Sequence, residues 1–237
     1  MLRMGSSLSV PPTADGTIVA VCGFNREASL LKHRDIHCVV SGGVRSLLEQ
    51  RLASLSHMRT RGIISIGICG ALDSKLAVGD CAIASEIVAG FARLSVDAAW
   101  TERLTACLPD SIAGPIAGTD SMLTELRDKQ TLRRRSNALA ADMESHVAAE
   151  FAATHGIPFA ALRVVSDDAH HALPPAVLKA MKPDGGVNVP AVVGSLLRNP
   201  LQLPALLRTA RDSEIALKVL LRCLDRLGPR LLGPDLG

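Results

Sequence analysis

The sequence predicts a mostly parallel β-sheet with helices on both faces, a three-layer α/β/α sandwich. Two observations lead there. Short apolar runs alternate with helical patterns along the chain, the order a parallel sheet needs because each crossover returns through a helix. The runs TIVAVCG, GIISIGIC and PFAALRVVS are hydrophobic almost without interruption, as strands covered on both faces are. A hydrophobic share of 48% against 21% charged suits one domain with a full core in a chain of 237 residues.

The first sixteen residues, MLRMGSSLSVPPTADG, hold no continuous apolar stretch and read as a disordered leader rather than a secretory signal. Strands are expected at Thr17–Gly23, His37–Ser41, Gly62–Cys69, Asp80–Val88, Ile112–Gly118 and Pro158–Ser166. A helix follows Gly43, where Val44, Leu47, Leu48 and Leu52 recur at helical spacing. A second runs from about Asp142 to His155 on the stripe Met143, Val147 and Phe151, and Gly156 then Pro158 stop it. Residues 17–237 read as a single domain. Its C-terminal segment, 174–237, mixes Pro-broken and Leu-rich, Arg-studded stretches and is expected to form several short helices.

Several function classes are disfavoured. A net charge of +3 is too small for nucleic acid, and the aromatics are only Phe24, Phe91, Trp100, Phe151 and Phe159, with no interleaved basic platform. Cys22, Cys38, Cys69, Cys81, Cys107 and Cys223 form no CxxC pair and no zinc spacing, so reduced core thiols of a cytoplasmic protein are expected. No metal or organic cofactor is implied. His170 and His171 lack a third ligand at suitable spacing and read as a surface turn. No stretch is long and apolar enough to span a bilayer.

In parallel α/β sheets, ligands bind beyond the carboxyl ends of the strands. Glu27 lies just past the first strand, and Gly70 ends the third, where its missing side chain allows close approach. Ser166, Asp167 and Asp168 end the last strand, and Glu144, placed in the first turn of its helix, can join the same crevice. Acidic groups gathered in one cleft raise each other's pKa, which suits a general acid near neutral pH. On the residues alone, both aspartates read better as turn caps than as catalytic acids, and Glu144 reads as a first-turn acid favoured by the helix dipole. Arg163, mid-strand in an apolar run, needs a partner if buried and is read as a structural mate of an acid.

The stretch ADMESHVAAEFAATHGIPFAALRVVSDDA resembles the signature of the nucleoside phosphorylase/nucleosidase superfamily, especially its methylthioadenosine/S-adenosylhomocysteine nucleosidases. GICGALDSKLAVGD is similar to the same superfamily's central strand and turn, and GFNREASLL and GTDSML extend the match, in order, over roughly residues 17–170. The resemblance implies a phosphorylase/hydrolase-like fold with a mixed, twisted sheet. It makes Asp167, beside Ser166, the acid that protonates purine N7. It gives Glu144 the ribose hydroxyls, Met143 the flank of the sugar, and Glu27 the activation of water. Met122 and Leu123 would hold the base. Two departures stand out: Ile68 replaces a Ser that helps hold phosphate or water in many relatives, and Met122 replaces a Phe beside the base. Arg26 is then the nearest candidate cation for phosphate, so water and phosphate both stay open as nucleophile, the latter as a co-substrate.

HHALPPAVLKAMKPDGGVNVPAVVGSLLRNPLQLPALLRTARD further resembles the C-terminal region of hopanoid-associated phosphorylases, which implies adenosylhopane as the substrate. Leu196, Leu197, Leu201, Leu203, Leu206 and Leu207 with Arg198, Arg208 and Arg211 would make an apolar mouth with a cationic rim, suited to peripheral contact with an anionic membrane face. The plainer reading of these leucines is a core- or dimer-facing helix pair. A homo-oligomer is expected by analogy alone. The alternatives are a methylthioadenosine/S-adenosylhomocysteine nucleosidase, or a nucleoside- or lipid-binding protein without catalysis.

Overall fold

The structure, a computed structural model, describes residues 16–234 apart from Met181. The elements in chain order are β1 (Thr17–Cys22), α1 (Asn25–Ser29), β2 (Ile36–Val40), α2 (Arg45–Ala53), β3 (Thr60–Ala71), β4 (Cys81–Ala89), β5 (Ala92–Ser95), α3 (Ala98–Cys107), β6 (Ile112–Gly118), α4 (Leu126–Ser136), β7 (Ala140–Asp142), α5 (Ser145–His155), β8 (Phe159–Asp167), α6 (Pro175–Leu178), α7 (Val189–Arg198) and α8 (Leu203–Leu227). The leader expected before Thr17 lies, Gly16 excepted, outside the described residues.

The sheet is mixed and covered on both faces. β1 pairs in parallel with β2 and β3, and β8 runs parallel to β3 but antiparallel to β4. β4 continues to β6, β6 to β7, and β7 returns antiparallel to the end of β3. The strands β3, β8, β4, β6 and β7 therefore close a ring. One face is covered by α3 and α8, whose Trp100, Leu104, Leu217, Leu220 and Leu224 pack on Ile64, Ile66 and Leu162. The other is covered by α2 and α5 through Leu48, Leu52, Val147 and Ala152, against Val19, Val21 and Ile63. Clusters of this size, removed from water, hold the layers together.

All six expected strands form, within two residues at each end. β5 and β7 were not expected. β5 is the return arm of a hairpin that turns at Gly90, whose φ of 62° favours glycine. β7 has three residues, too few to show any period. The helix expected from Asp142 begins instead at Ser145, because Asp142 ends β7 and its Oδ1 accepts from the amides of Glu144 (2.8 Å) and Ser145 (2.7 Å). Glu144 thus precedes the first turn rather than lying in it. The tail also differs from expectation: beyond the short α6 and α7, α8 is one helix of 25 residues. Pro204 is tolerated at its start, where the missing N–H has no partner to lose, and the buried stripe Leu217, Leu220, Leu224 and Leu227 carries it onward.

Candidate active site

The carboxyl ends of β1, β3, β6, β7 and β8 meet at one cleft of about 150 Å³. Asp167, Ser166, Glu144, Met143, Met122, Leu123 and Gly70 all line it. Seven of the eight residues singled out from the sequence are thus brought together. Glu27 stands behind this wall, between its lining neighbours Phe24 and Ile68.

Glu144 is turned into the cleft by the cap that Asp142 places on α5. Besides the two amides, Asp142 accepts from Ser145 Oγ at 2.6 Å. Behind them lies Arg163 of β8, fully buried, with Nε 3.1 Å from Asp142 Oδ2 and Nη1 3.5 Å from Glu144 Oε2. Its Nη2 also donates to Ser65 Oγ and to Ser145 Oγ. A guanidinium among apolar strands is tolerated only with such partners. On its other side, Glu144 accepts from Ser41 Oγ at 2.8 Å. Burial pushes the Glu144 carboxyl up to about 7, with Arg163 pulling the other way.

Glu27 is also buried, and both of its oxygens are engaged. Oε2 accepts from the amides of Gly23 (2.8 Å) and Phe24 (2.9 Å), and Oε1 from that of Ile68 (2.7 Å). A Cβ on Gly67 would lie 2.4 Å from Glu27 Oε1, so glycine is required there for this approach. Burial raises the Glu27 pKa, against Arg163 and the three amides. Gly23 links the two glutamates: its amide serves Glu27, and a Cβ added to it would stand 3.0 Å from Glu144 Oε1.

Asp167 ends β8 opposite Gly70, where a Cβ would come within 2.9 Å of its Oδ2. Oδ1 accepts from Ser166 Oγ at 3.2 Å, and Oδ2 accepts from Lys129 Nζ at 2.6 Å. Burial raises the Asp167 pKa, with Lys129 opposing. Asp168 turns away. It accepts from the His170 amide and the His171 ring, which hold its carboxyl low although burial alone would raise it.

Lys129, Ser41, Asp142, Thr119, Thr209 and Ser213 are site residues that the sequence did not reveal. Lys129 is hidden in the run RDKQTLRRR, which reads as a solvated face, and Thr209 and Ser213 sit in a helix whose length was not foreseen. Asp142 alone carried a usable signal, as an acid directly before Met143 and Glu144. Arg26 does not reach the cleft: it is exposed and paired with Glu214. Among the described residues, no cluster of His, Cys, Asp or Glu is arranged to hold a metal ion.

A buried and a half-buried carboxylate, Glu144 and Asp167, both pushed toward higher pKa by removal from water, face an apolar slot at strand ends and define an acid–base site for a small organic ligand. The chain belongs to the phosphorylase superfamily, whose family model matches residues 42–185. Its fold is similar to solved nucleosidase structures. The S-adenosylhomocysteine nucleosidase of Streptococcus pyogenes, in complex with 5-methylthiotubericidin, superposes with a TM-score of 0.63 at 18% identity, covering 91% of this chain and 99% of that one. A Helicobacter pylori mutant nucleosidase with 5′-methylthioadenosine in its active site gives 0.62 at 14% identity, covering 89% and 98%. The 5′-methylthioadenosine/S-adenosylhomocysteine nucleosidase of S. pneumoniae gives 0.59 at 19%, covering 86% and 99%. Among curated proteins no match is found.

Proposed function

We propose that this protein cleaves the N-glycosidic bond of a 5′-substituted adenosine and releases adenine. The carrying observation is the contrast between two acids in one cleft: half-buried Asp167 at the end of β8, paired with Lys129, and buried Glu144 beside Arg163 and Ser41. Breaking the bond builds positive charge on the ribose while the departing base must gain a proton. Asp167, its pKa raised by burial, delivers that proton to N7. Glu144, ionised above about pH 7, accepts from the ribose hydroxyls and stabilises the oxocarbenium-like sugar, as the second carboxylate does in glycosidases. Glu27, which stands just behind the cleft wall at Phe24 and Ile68, is assigned the proton of the attacking water. Met143 flanks the sugar, and Met122 and Leu123 pack on the base.

Water is favoured over phosphate by the engagement of the two cations buried beside the cleft. Lys129 is held by Asp167 and Arg163 by Asp142. A phosphate dianion at either cation would have to displace its carboxylate.

We assign adenosylhopane as the substrate. Leu173, Val177, Thr209 and Ser213 line the cleft, and the same segment exposes Leu197 (81%), Leu201 (88%) and Leu207 (61%). Arg198, Arg208 and Arg211, also exposed, supply a cationic rim. A polycyclic hydrocarbon on the 5′ carbon would leave the cleft toward this apolar surface, with the protein resting on the cytoplasmic face of an anionic membrane. None of the described helices is long and apolar enough to cross that membrane. The structural neighbours favour a second reading, turnover of methylthioadenosine or S-adenosylhomocysteine. Incubation with adenosylhopane and with methylthioadenosine, each with and without phosphate, separates the two. The proposed assignment gives free adenine and ribosylhopane without phosphate; adenine from methylthioadenosine alone transfers the assignment to the second reading.

A further inference from the structure

Lys129 is 1% exposed, and α4 carries it into the cleft wall. Its ammonium meets three acceptors: Asp167 Oδ2 at 2.6 Å, the Asp168 carbonyl at 2.7 Å and the His171 carbonyl at 3.3 Å. All three lie on the end of β8 or the turn that follows. An ammonium has three hydrogens, and these partners account for them all. Arg133, one turn further along α4, pairs elsewhere, with Asp73. A lysine stripped of water needs compensation of this kind, and one whose charge rests on the acid of the site does more than fill space.

We propose that Lys129 is a positioning residue of the reaction, fixing Asp167 toward the base and stabilising the carboxylate left after its proton has moved to the purine. This deepens the proposed glycosidic cleavage and rests on it. The transfer is balanced without further partners: the proton leaves the Asp167 carboxyl for N7, the base departs with the glycosidic electron pair, and the Asp167 anion is left facing the Lys129 ammonium. The other groups around Asp167 do not supply this charge. Ser166 Oγ donates at 3.2 Å, the buried Cys69 lies on β3 beside it, and Asp168 is itself anionic and directed to His171. On the α8 side, Arg208 and Asp212 line a small adjoining cavity with Asp167 and are opposite in charge.

The test uses Lys129→Met and Lys129→Gln in the full chain; the second keeps a hydrogen-bond donor and loses the charge. Removing a cation in contact with an acid raises the acid's pKa, by about 1–3 units for a direct pair. The alkaline limb of kcat/KM is expected to move up by about that amount in both variants, with kcat reduced about tenfold or more because a weaker acid transfers its proton less readily. The Asp167 carboxyl resonance, followed by carbon NMR in the ligand-free proteins and assigned with Asp167→Asn, should titrate higher in the same variants. A limb and a resonance that stay in place in Lys129→Gln would overturn the proposal, whatever the activity. If wild type releases no adenine while the resonance still moves, the charge pairing stands and the glycosidic reading falls.

Discussion

Arg163 Nη1 stands 3.5 Å from Glu144 Oε2, and both residues are buried. The same guanidinium holds Asp142, so one buried cation balances the acid that caps α5 and the acid that faces the cleft. Structure and chemistry share this centre, and its charges set how the protein should respond to mutation and pH.

Replacing Arg163 with Met should destabilise the protein by about 3–5 kcal/mol, since it leaves buried carboxylates without their partner. The loss should be larger at pH 8 than at pH 5, because protonation relieves the uncompensated charge at the lower pH. Denaturant unfolding at the two values measures it.

Glu144 has a folded-state pKa of about 7 against an ordinary 4.5. Between these values the folded state binds more protons than the unfolded one, so this group's contribution to stability falls as pH rises. The stability of wild type relative to Glu144→Gln should therefore decline by about 3 kcal/mol from pH 4 to pH 8. Unfolding of both proteins across that range reads the difference; a constant difference would place the Glu144 pKa at its ordinary value. In turnover, the acidic limb of kcat/KM should lie near pH 7 in wild type, because ionised Glu144 is required, and vanish from the residual activity of Glu144→Gln.

How far the sequence reached depends on the range of the interaction. Long, evenly apolar strands such as β3 and β8 declare themselves locally, and so does the Gly156 stop of α5, whose φ of 63° suits glycine. The strand-end rule puts Asp167 at the crevice, and Glu144, read in the first turn of its helix, can join it there. Lys129 was not legible, because nothing in RDKQTLRRR distinguishes the one lysine that turns inward. Asp142 was read into a helix because its capping role depends on where β7 ends, and β7 is too short to leave a pattern.

Gly67 marks a backbone position fixed by a side chain rather than by a turn. An Ala there would drive its Cβ against Glu27 Oε1 and Arg163 Nη1, at 2.4 and 2.7 Å. Gly67→Ala should cost about 1–3 kcal/mol of stability by overpacking and displace Glu27. Thermal unfolding together with kcat should show both losses; an unchanged kcat would remove Glu27 from the catalytic assignment.

The apolar surface around α7 predicts binding to anionic vesicles that weakens with salt, as cationic attraction is screened. A Leu197→Ser/Leu201→Ser/Leu207→Ser variant should lose flotation with such vesicles, yet keep its melting temperature because these side chains are already exposed. Wild type and variant left equally unbound would argue against the membrane assignment.

The central claim is that Asp167 protonates a departing adenine. Its most direct test is adenine release under single-turnover conditions by wild type and Asp167→Asn, near pH 7. The expected result is loss of about two to four orders of magnitude in rate with adenine binding retained, since a carboxamide still forms hydrogen bonds but carries no acidic proton. Adenine released by Asp167→Asn at the wild-type rate would contradict the account.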